Sequence, residues 1–82
     1  MKFEMLEEIV REICTGNGHV YNSPNGKIYR LGMHSNDVSA RLVWSIGQVM
    51  VPARRQIELF KEFEDETGIE KVALYNALNY LI

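Results

Sequence analysis

The turn signal Pro-Asn-Gly at residues 24–26 is the feature that most constrains how this chain folds. Proline presets a φ angle suited to a turn, and Asn-Gly supplies the positive φ that tight hairpin turns require. Short runs rich in β-branched and aromatic residues flank it at 19–21 and 27–31. The sequence therefore predicts a β-hairpin over residues 19–31. Because an isolated hairpin is marginally stable in water, we expect it to pack on other elements.

Apolar residues at helical spacing predict amphipathic helices on both sides of this hairpin. The first covers residues 2–14 and is followed by Gly16, a typical stop residue. Two more are predicted over 53–66 and 70–81, separated by Gly68. The side chains expected to face inward are Phe3, Leu6, Ile9, Val10, Ile13, Ile57, Phe60, Phe63, Leu74, Leu78 and Leu81.

The middle of the chain, residues 36–50, has two interpretations. A helix is favoured by the length of the segment, by a wide apolar face and by a cap-like cluster at 35–37. The alternative is a pair of strands at 42–46 and 49–51 around a Gly-Gln turn. In either case we predict an α+β fold, mostly helical, as a single small domain over residues 1–82. It has an N-terminal helix, a β-hairpin and two or three C-terminal helices.

Charge and cysteine content exclude several classes of protein. The chain of 82 residues has nine Lys and Arg against eleven Asp and Glu, a net charge of -2, which disfavours nucleic-acid binding through a broad basic surface. The single cysteine cannot form an internal disulfide, and no apolar run approaches the ~18 residues of a membrane span. Residues 1–12 mix apolar and acidic side chains, unlike a signal peptide. We therefore expect a cytoplasmic protein.

The residues suited to metal binding or nucleophilic catalysis are sparse and poorly spaced. Cys14, His19 and His34 match no structural zinc pattern, and Cys14 is predicted to be a small buried apolar residue at a helix end. The Gly-rich run at 15–18 lacks the Gly-Lys-Ser/Thr of a phosphate-binding loop. We predict that the protein is not an enzyme and has no metal or cofactor.

Residues 67–69 read Thr-Gly-Ile, and Leu74 follows six residues after the glycine. In this spacing the chain resembles, over residues 57–81, the helix-turn-helix of phage-repressor and antitoxin-type regulators. The resemblance implies that the second helix lies in the major groove of DNA, with Asn76 or Lys71 as base readers. The residues that it implies would face DNA are Lys71, Val72, Tyr75, Asn76 and Asn79.

The charges of this same region disfavour DNA. Residues 52–82 contain four Lys or Arg against six Asp or Glu. Glu64 stands four residues before the turn glycine, where the family usually has a small residue at the helix crossing. Since binding to phosphates requires several unopposed cations, the simpler interpretation is an antiparallel helix pair joined by a glycine turn.

The sequence therefore predicts a non-enzymatic small regulatory protein, of inhibitor or adaptor type, that binds another protein. The alternative is a helix-turn-helix DNA-binding transcriptional regulator. Apolar side chains beyond the needs of a thin core predict a docking surface and a homo-oligomer. The arginines at 54–55 begin a helix, where the dipole disfavours cations, so they either pair with an acidic patch of this chain or a partner or are simply solvated. The predicted partner-binding residues are Trp44, Arg54, Arg55, Tyr80 and Leu81.

Overall fold

The computed structural model describes residues 2–35 and 39–81, except for the side chains of Lys2 and Leu81. The elements along the chain are α1 (Lys2–Cys14), β1 (His19–Asn22), β2 (Ile28–Ser35), β3 (Ala40–Ile46), β4 (Val49–Met50), α2 (Ala53–Thr67) and α3 (Lys71–Leu81). The predicted α+β class is confirmed, with its N-terminal helix, its hairpin and two C-terminal helices.

The strands form one antiparallel sheet in the order β1-β2-β3-β4. The predicted hairpin is its first pair, in which Tyr21 lies opposite Tyr29. The amide of Gly26 donates a 3.0 Å hydrogen bond to the carbonyl of Ser23 and closes the turn. β2 continues to Ser35 and pairs with β3, so the hairpin is supported by further strands as well as by helices.

The favoured helix over residues 36–50 is wrong for the described part of that segment, which forms β3 and β4. Within β3, Leu42 and Trp44 are buried against the helices, whereas Arg41 is exposed and Val43 is half-buried. This is the two-residue alternation of a strand, and it outweighs the coincidental helical spacing of the larger apolar residues.

A tight loop joins the last two strands. Ile46 pairs with Val49, which leaves Gly47 and Gln48 as a two-residue connection. Gly47 has a φ of 58°, and Gln48 has no positive φ. This combination is typical of a type II′ hairpin turn, which favours glycine at its first position. The cap cluster expected for a helix here falls largely on residues 36–37, outside the described residues.

One face of the sheet packs against the helices around a cluster of aromatic rings. Trp44 is 0% exposed, and its ring centroid lies 5.5 Å from those of Tyr21, Phe60 and Phe63. Tilted and edge-to-face pairs of this kind add to the gain from burial. The cluster therefore fixes how α2 lies on β1 and β3.

Three expectations about burial are wrong. Phe3 and Ile57 were expected inward but are 72% and 71% exposed. On α2 the inward position beside Phe60 is taken by Leu59, which is fully buried. Cys14 was expected to be buried but is exposed at the end of α1. Phe3 and Cys14 lie near the two ends of α1, whereas Ile57 lies within α2. Helical periodicity predicts an apolar stripe, but the elements packed against the helix decide which members of the stripe are buried.

Candidate functional site

α1 and α3 pack on each other and leave a groove of about 530 Å³ along their shared surface. Its small residues are Ala73 and Ala77, which are half-buried. Phe3 on α1 and Tyr80 on α3 line it and are 72% and 89% exposed. We name this surface the α1–α3 groove; its lining is Phe3, Leu6, Glu7, Ala73, Asn76, Ala77 and Tyr80.

The register of α3 explains how the groove arises. Leu74 and Leu78 are buried and hold the helix to the core. Ala73 and Ala77 lie one position before each of them, so small side chains flank the buried stripe. The sequence predicts Tyr80 as a partner-binding residue but does not by itself predict the groove that Tyr80 lines. Two alanines at positions i and i+4 beside a buried stripe are the pattern that indicates such a groove.

The structure separates the predicted partner-binding residues. Tyr80 lines the α1–α3 groove, and Arg54 is exposed in the first turn of α2. The side chain of Leu81 lies outside the described residues. The prediction that Trp44 contacts a partner is wrong, because its side chain is completely buried in the core.

Arg55 pairs within its own chain. Its guanidinium lies 3.4 Å from Glu58 and 3.7 Å from Glu62, and it donates a 3.3 Å hydrogen bond to the hydroxyl of Tyr29. That hydrogen bond lowers the pKa of Tyr29. Of the interpretations left open for Arg55, an acidic patch of this chain is the one observed. The side chain thus connects α2 to β2 instead of presenting a free cation.

Glu62 joins α2 to the first hairpin. Its Oε1 accepts hydrogen bonds from the hydroxyl of Tyr21, at 3.2 Å, and from the hydroxyl of the buried Ser23. Burial, followed by the charge of Glu62, raises the pKa of Tyr21 to about 12. A phenol that holds its proton this firmly is a poor general base at neutral pH. We therefore assign this cluster to stability.

The helix-turn-helix segment has the turn that its sequence predicts. Gly68 follows α2 with a φ of 76°, and its amide donates a 2.7 Å hydrogen bond to the carbonyl of Glu64. The hydroxyl of Thr67 accepts a 3.1 Å hydrogen bond from the amide of Ile69. This is a left-handed helix cap, which glycine adopts with little strain. Such a cap is common to DNA-binding and purely structural helix pairs.

The side chains implied to face DNA divide into two groups. Val72, Asn76 and Asn79 are exposed at helical spacing along α3. Tyr75 instead accepts a 2.8 Å hydrogen bond from the amide of Leu42, and the Lys71 ammonium lies 4.8 Å from the centroid of the Phe60 ring. These contacts tie two of the five residues to the fold. The DNA interpretation stays a prediction.

The residues considered for metal binding lie apart. Nδ1 of His19 is 2.9 Å from a carboxylate oxygen of Glu12, and its ring packs edge-on against Phe63. His34 is exposed on the face of the sheet that the helices leave open. Within residues 2–35 and 39–81, no three His, Cys, Asp or Glu side chains group as metal ligands would.

Comparison of the chain with protein-family models, with curated proteins and with solved structures finds no significant match. Across the part of the chain that the structure describes, no helix is both long and apolar enough to cross a membrane. The function of this chain is therefore inferred from the surfaces of its fold.

Proposed function

We propose that this chain is a small non-enzymatic regulatory protein that binds other proteins, and that two copies of it pair through the α1–α3 groove. The exposure of Phe3 and Tyr80 beside two alanines carries the proposal. Isolated exposed apolar residues are ordinary on a protein surface. Large ones grouped around a groove are typical of an interface.

The shape of the groove favours a second copy as its occupant. A two-fold interface places the same surface on both sides, so that surface has to provide projections as well as recesses. Here the rings of Phe3 and Tyr80 project, and the short side chains of Ala73 and Ala77 leave space. Each copy can therefore insert its aromatic rings where the other has alanine.

The charge of the groove requires no oppositely charged partner. Among the described lining residues, Glu7 is the one Asp, Glu, Lys or Arg, and it lies on the edge contributed by α1. Arg11 lies 3.6 Å from that carboxylate, one helical turn further along α1. Because this charge already has a counterpart, an apolar surface is a better match for the groove than a basic one.

The oligomeric state tests this proposal. We expect wild-type protein to change from monomer to dimer in sedimentation equilibrium between low micromolar and millimolar concentration. Phe3→Ser and Tyr80→Ser should remain monomeric and keep the wild-type melting temperature, since both side chains are exposed. Ile57→Ser is the matched control, because it removes an apolar side chain 71% exposed on α2, away from the groove. A wild-type protein that stays monomeric would refute the proposal.

The second candidate is a DNA-binding regulator. The exposure of Val72, Asn76 and Asn79 along α3 is the observation that favours it. Fluorescence anisotropy with labelled duplex DNA at low salt, followed by a salt titration, distinguishes the two. Binding that weakens steeply with salt and is lost in Asn76→Ala would support DNA. The first proposal expects no binding to the duplex.

A further inference from the structure

The face of the sheet that the helices leave open is basic. All described Asp and Glu residues lie on α1, on α2 or at Glu70. The open face presents exposed Arg30 and His34 from β2 and exposed Arg41 from β3. A protein of net charge -2 thus has one surface whose described charges are all positive.

A trough of about 330 Å³ crosses this face. Its lining includes Arg30, Gly32 and His34 of β2, Val43 of β3, and Met50 of β4. The guanidinium of Arg30 donates a hydrogen bond to a backbone carbonyl in the 15–18 loop, which fixes the position of its charge. The trough is therefore partly apolar, with the charge of Arg30 held at one edge.

Gly32 lines the trough, and the backbone conformation of β2 does not require glycine at this position. It pairs with Val43 in an uninterrupted register between β2 and β3, without a bulge. It has no positive φ, and a Cβ placed on it would meet no atom within 4 Å. Glycine weakens a strand interior, and where no bulge or bend explains it, it often marks the close approach of a ligand.

We propose that this trough binds an extended acidic segment of a protein partner, with an apolar side chain of that segment above Gly32. Arg30 and His34 lie on the same side of β2, four residues or roughly 13 Å apart, and Arg41 lies opposite His34. In an extended peptide, residues i, i+2 and i+4 share one side at the same spacing. The segment has an acidic, an apolar and an acidic residue at these three positions.

The observations favour a protein over a nucleic acid. Single-stranded nucleic acids bind sheets largely by stacking bases on aromatic rings. The described sheet aromatics, Tyr21, Tyr29 and Trp44, are all buried on the helix side. The trough instead offers Val43 and Met50, which suit an apolar side chain and contribute nothing to phosphate binding. An apolar centre with arginine at its edge is typical of protein interfaces.

This inference rests on the proposed protein-binding function and names the chemistry of the partner. Its residues Arg30, Gly32 and Arg41 lie outside the α1–α3 groove. Loss of self-association and loss of peptide binding are therefore separate outcomes, measured with different variants.

The experiment is selection of a displayed random nonapeptide library on the immobilised full chain, followed by anisotropy measurements with labelled winning peptides. We expect enrichment of the acidic-x-apolar-x-acidic pattern. Gly32→Val should weaken binding about tenfold or more, while the variant melts at or above the wild-type temperature. Arg30→Gln should weaken binding too and reduce its dependence on salt. Lys61→Gln, an exposed cation on α2, is the control and should bind as wild type does.

Three results would overturn the proposal. The first is that no peptide is enriched, or that the enriched peptides lack carboxylates. The second is that Gly32→Val binds them with unchanged affinity. The third is that labelled single-stranded or duplex DNA binds instead and is lost in Arg30→Gln, which would assign the face to a nucleic acid.

Discussion

The two faces of the sheet are built from alternate residues of the same strands, yet they differ in burial, in charge and in the contacts that their side chains make. On the helix side, Leu31 and Trp44 are fully buried, and Trp44 contacts three other aromatic rings. On the open side, one residue further along β2, Gly32 borders open space between Arg30 and His34. The choice of amino acid at neighbouring positions therefore has different causes. Packing against the helices decides it on one face, and the proposed ligand decides it on the other.

The largest loss of stability should come from removing a buried ring on the helix side of the sheet. Phe63 is 0% exposed, and its ring lies 5.3 Å from that of Tyr21 and 5.5 Å from that of Trp44. Phe63→Ala should lower the free energy of unfolding by about 3–5 kcal/mol, as measured by urea denaturation. Lys61→Ala, two positions earlier on α2 but exposed, should change it by less than about 0.5 kcal/mol. Equal losses of free energy in both variants would show that burial against the sheet does not decide how much a side chain contributes to stability.

A smaller loss of stability should follow from removing the charge of Glu62, which lies on α2 at the edge of the buried aromatic cluster. Glu62→Gln weakens the hydrogen bonds from Tyr21 and Ser23 and the ion pair with Arg55. The expected cost is about 1–3 kcal/mol by thermal and urea unfolding, since hydrogen bonds to charged groups exceed neutral ones. Glu64→Gln on the exposed side of α2 should leave stability nearly unchanged. A neutral result for Glu62 would mean that its hydrogen bonds do not stabilise the packing of α2 on the hairpin.

Alkaline pH should weaken the helix side without mutation. The folded-state pKa of Tyr21 is raised to about 12, above its ordinary value of 10.0. A raised folded pKa gives stability that is fully present below pH 10 and is lost as the pH rises toward 12. The melting temperature of wild type should therefore fall across this range more than that of Tyr21→Phe. Parallel curves for the two proteins would show that Tyr21 keeps an ordinary pKa.

The smallest predicted change in stability is a gain, and it concerns Gly32 on the open face. Gly32→Ala should raise the free energy of unfolding by about 0.5–1 kcal/mol, because alanine loses less conformational entropy on folding than glycine. The added Cβ would meet no atom within 4 Å, so it causes no steric clash. Gly68→Ala, at a φ of 76°, should lower it by at least that much. Urea unfolding of both variants compares a glycine that the backbone requires with one that it does not. A loss at Gly32 would mean that the fold, and not a ligand, selects glycine there.

Local chemistry accounts for the elements that could be predicted from the sequence. The hairpin and the break after α2 depend on turn residues whose preferred φ angles act within four positions. β3 depends on pairing with β2, and the apolar Val43 on its open face interrupts the alternation of apolar and polar residues that identifies a strand in a sequence. The helix that was favoured for this segment therefore fitted the composition but not the pairing.

The surfaces were less predictable than the elements. Tyr80 could be singled out because the sequence has more apolar side chains than a thin core requires. Phe3 could not, since it fits the stripe of α1 and only the position of α3 leaves it exposed. The burial of Trp44 likewise depends on which side of the sheet the helices cover. Periodicity defines a face, whereas only the assembled layers decide which face meets solvent.

The separation of acidic helices from a basic sheet face gives the molecule a permanent electric dipole that runs between the helix layer and the open face of the sheet. In the field of an acidic partner, such a molecule turns its sheet toward that partner before the two surfaces touch. The net charge of -2 opposes this approach only weakly. Orientation during diffusion should therefore raise the fraction of productive encounters, and added salt should slow association more than it speeds dissociation.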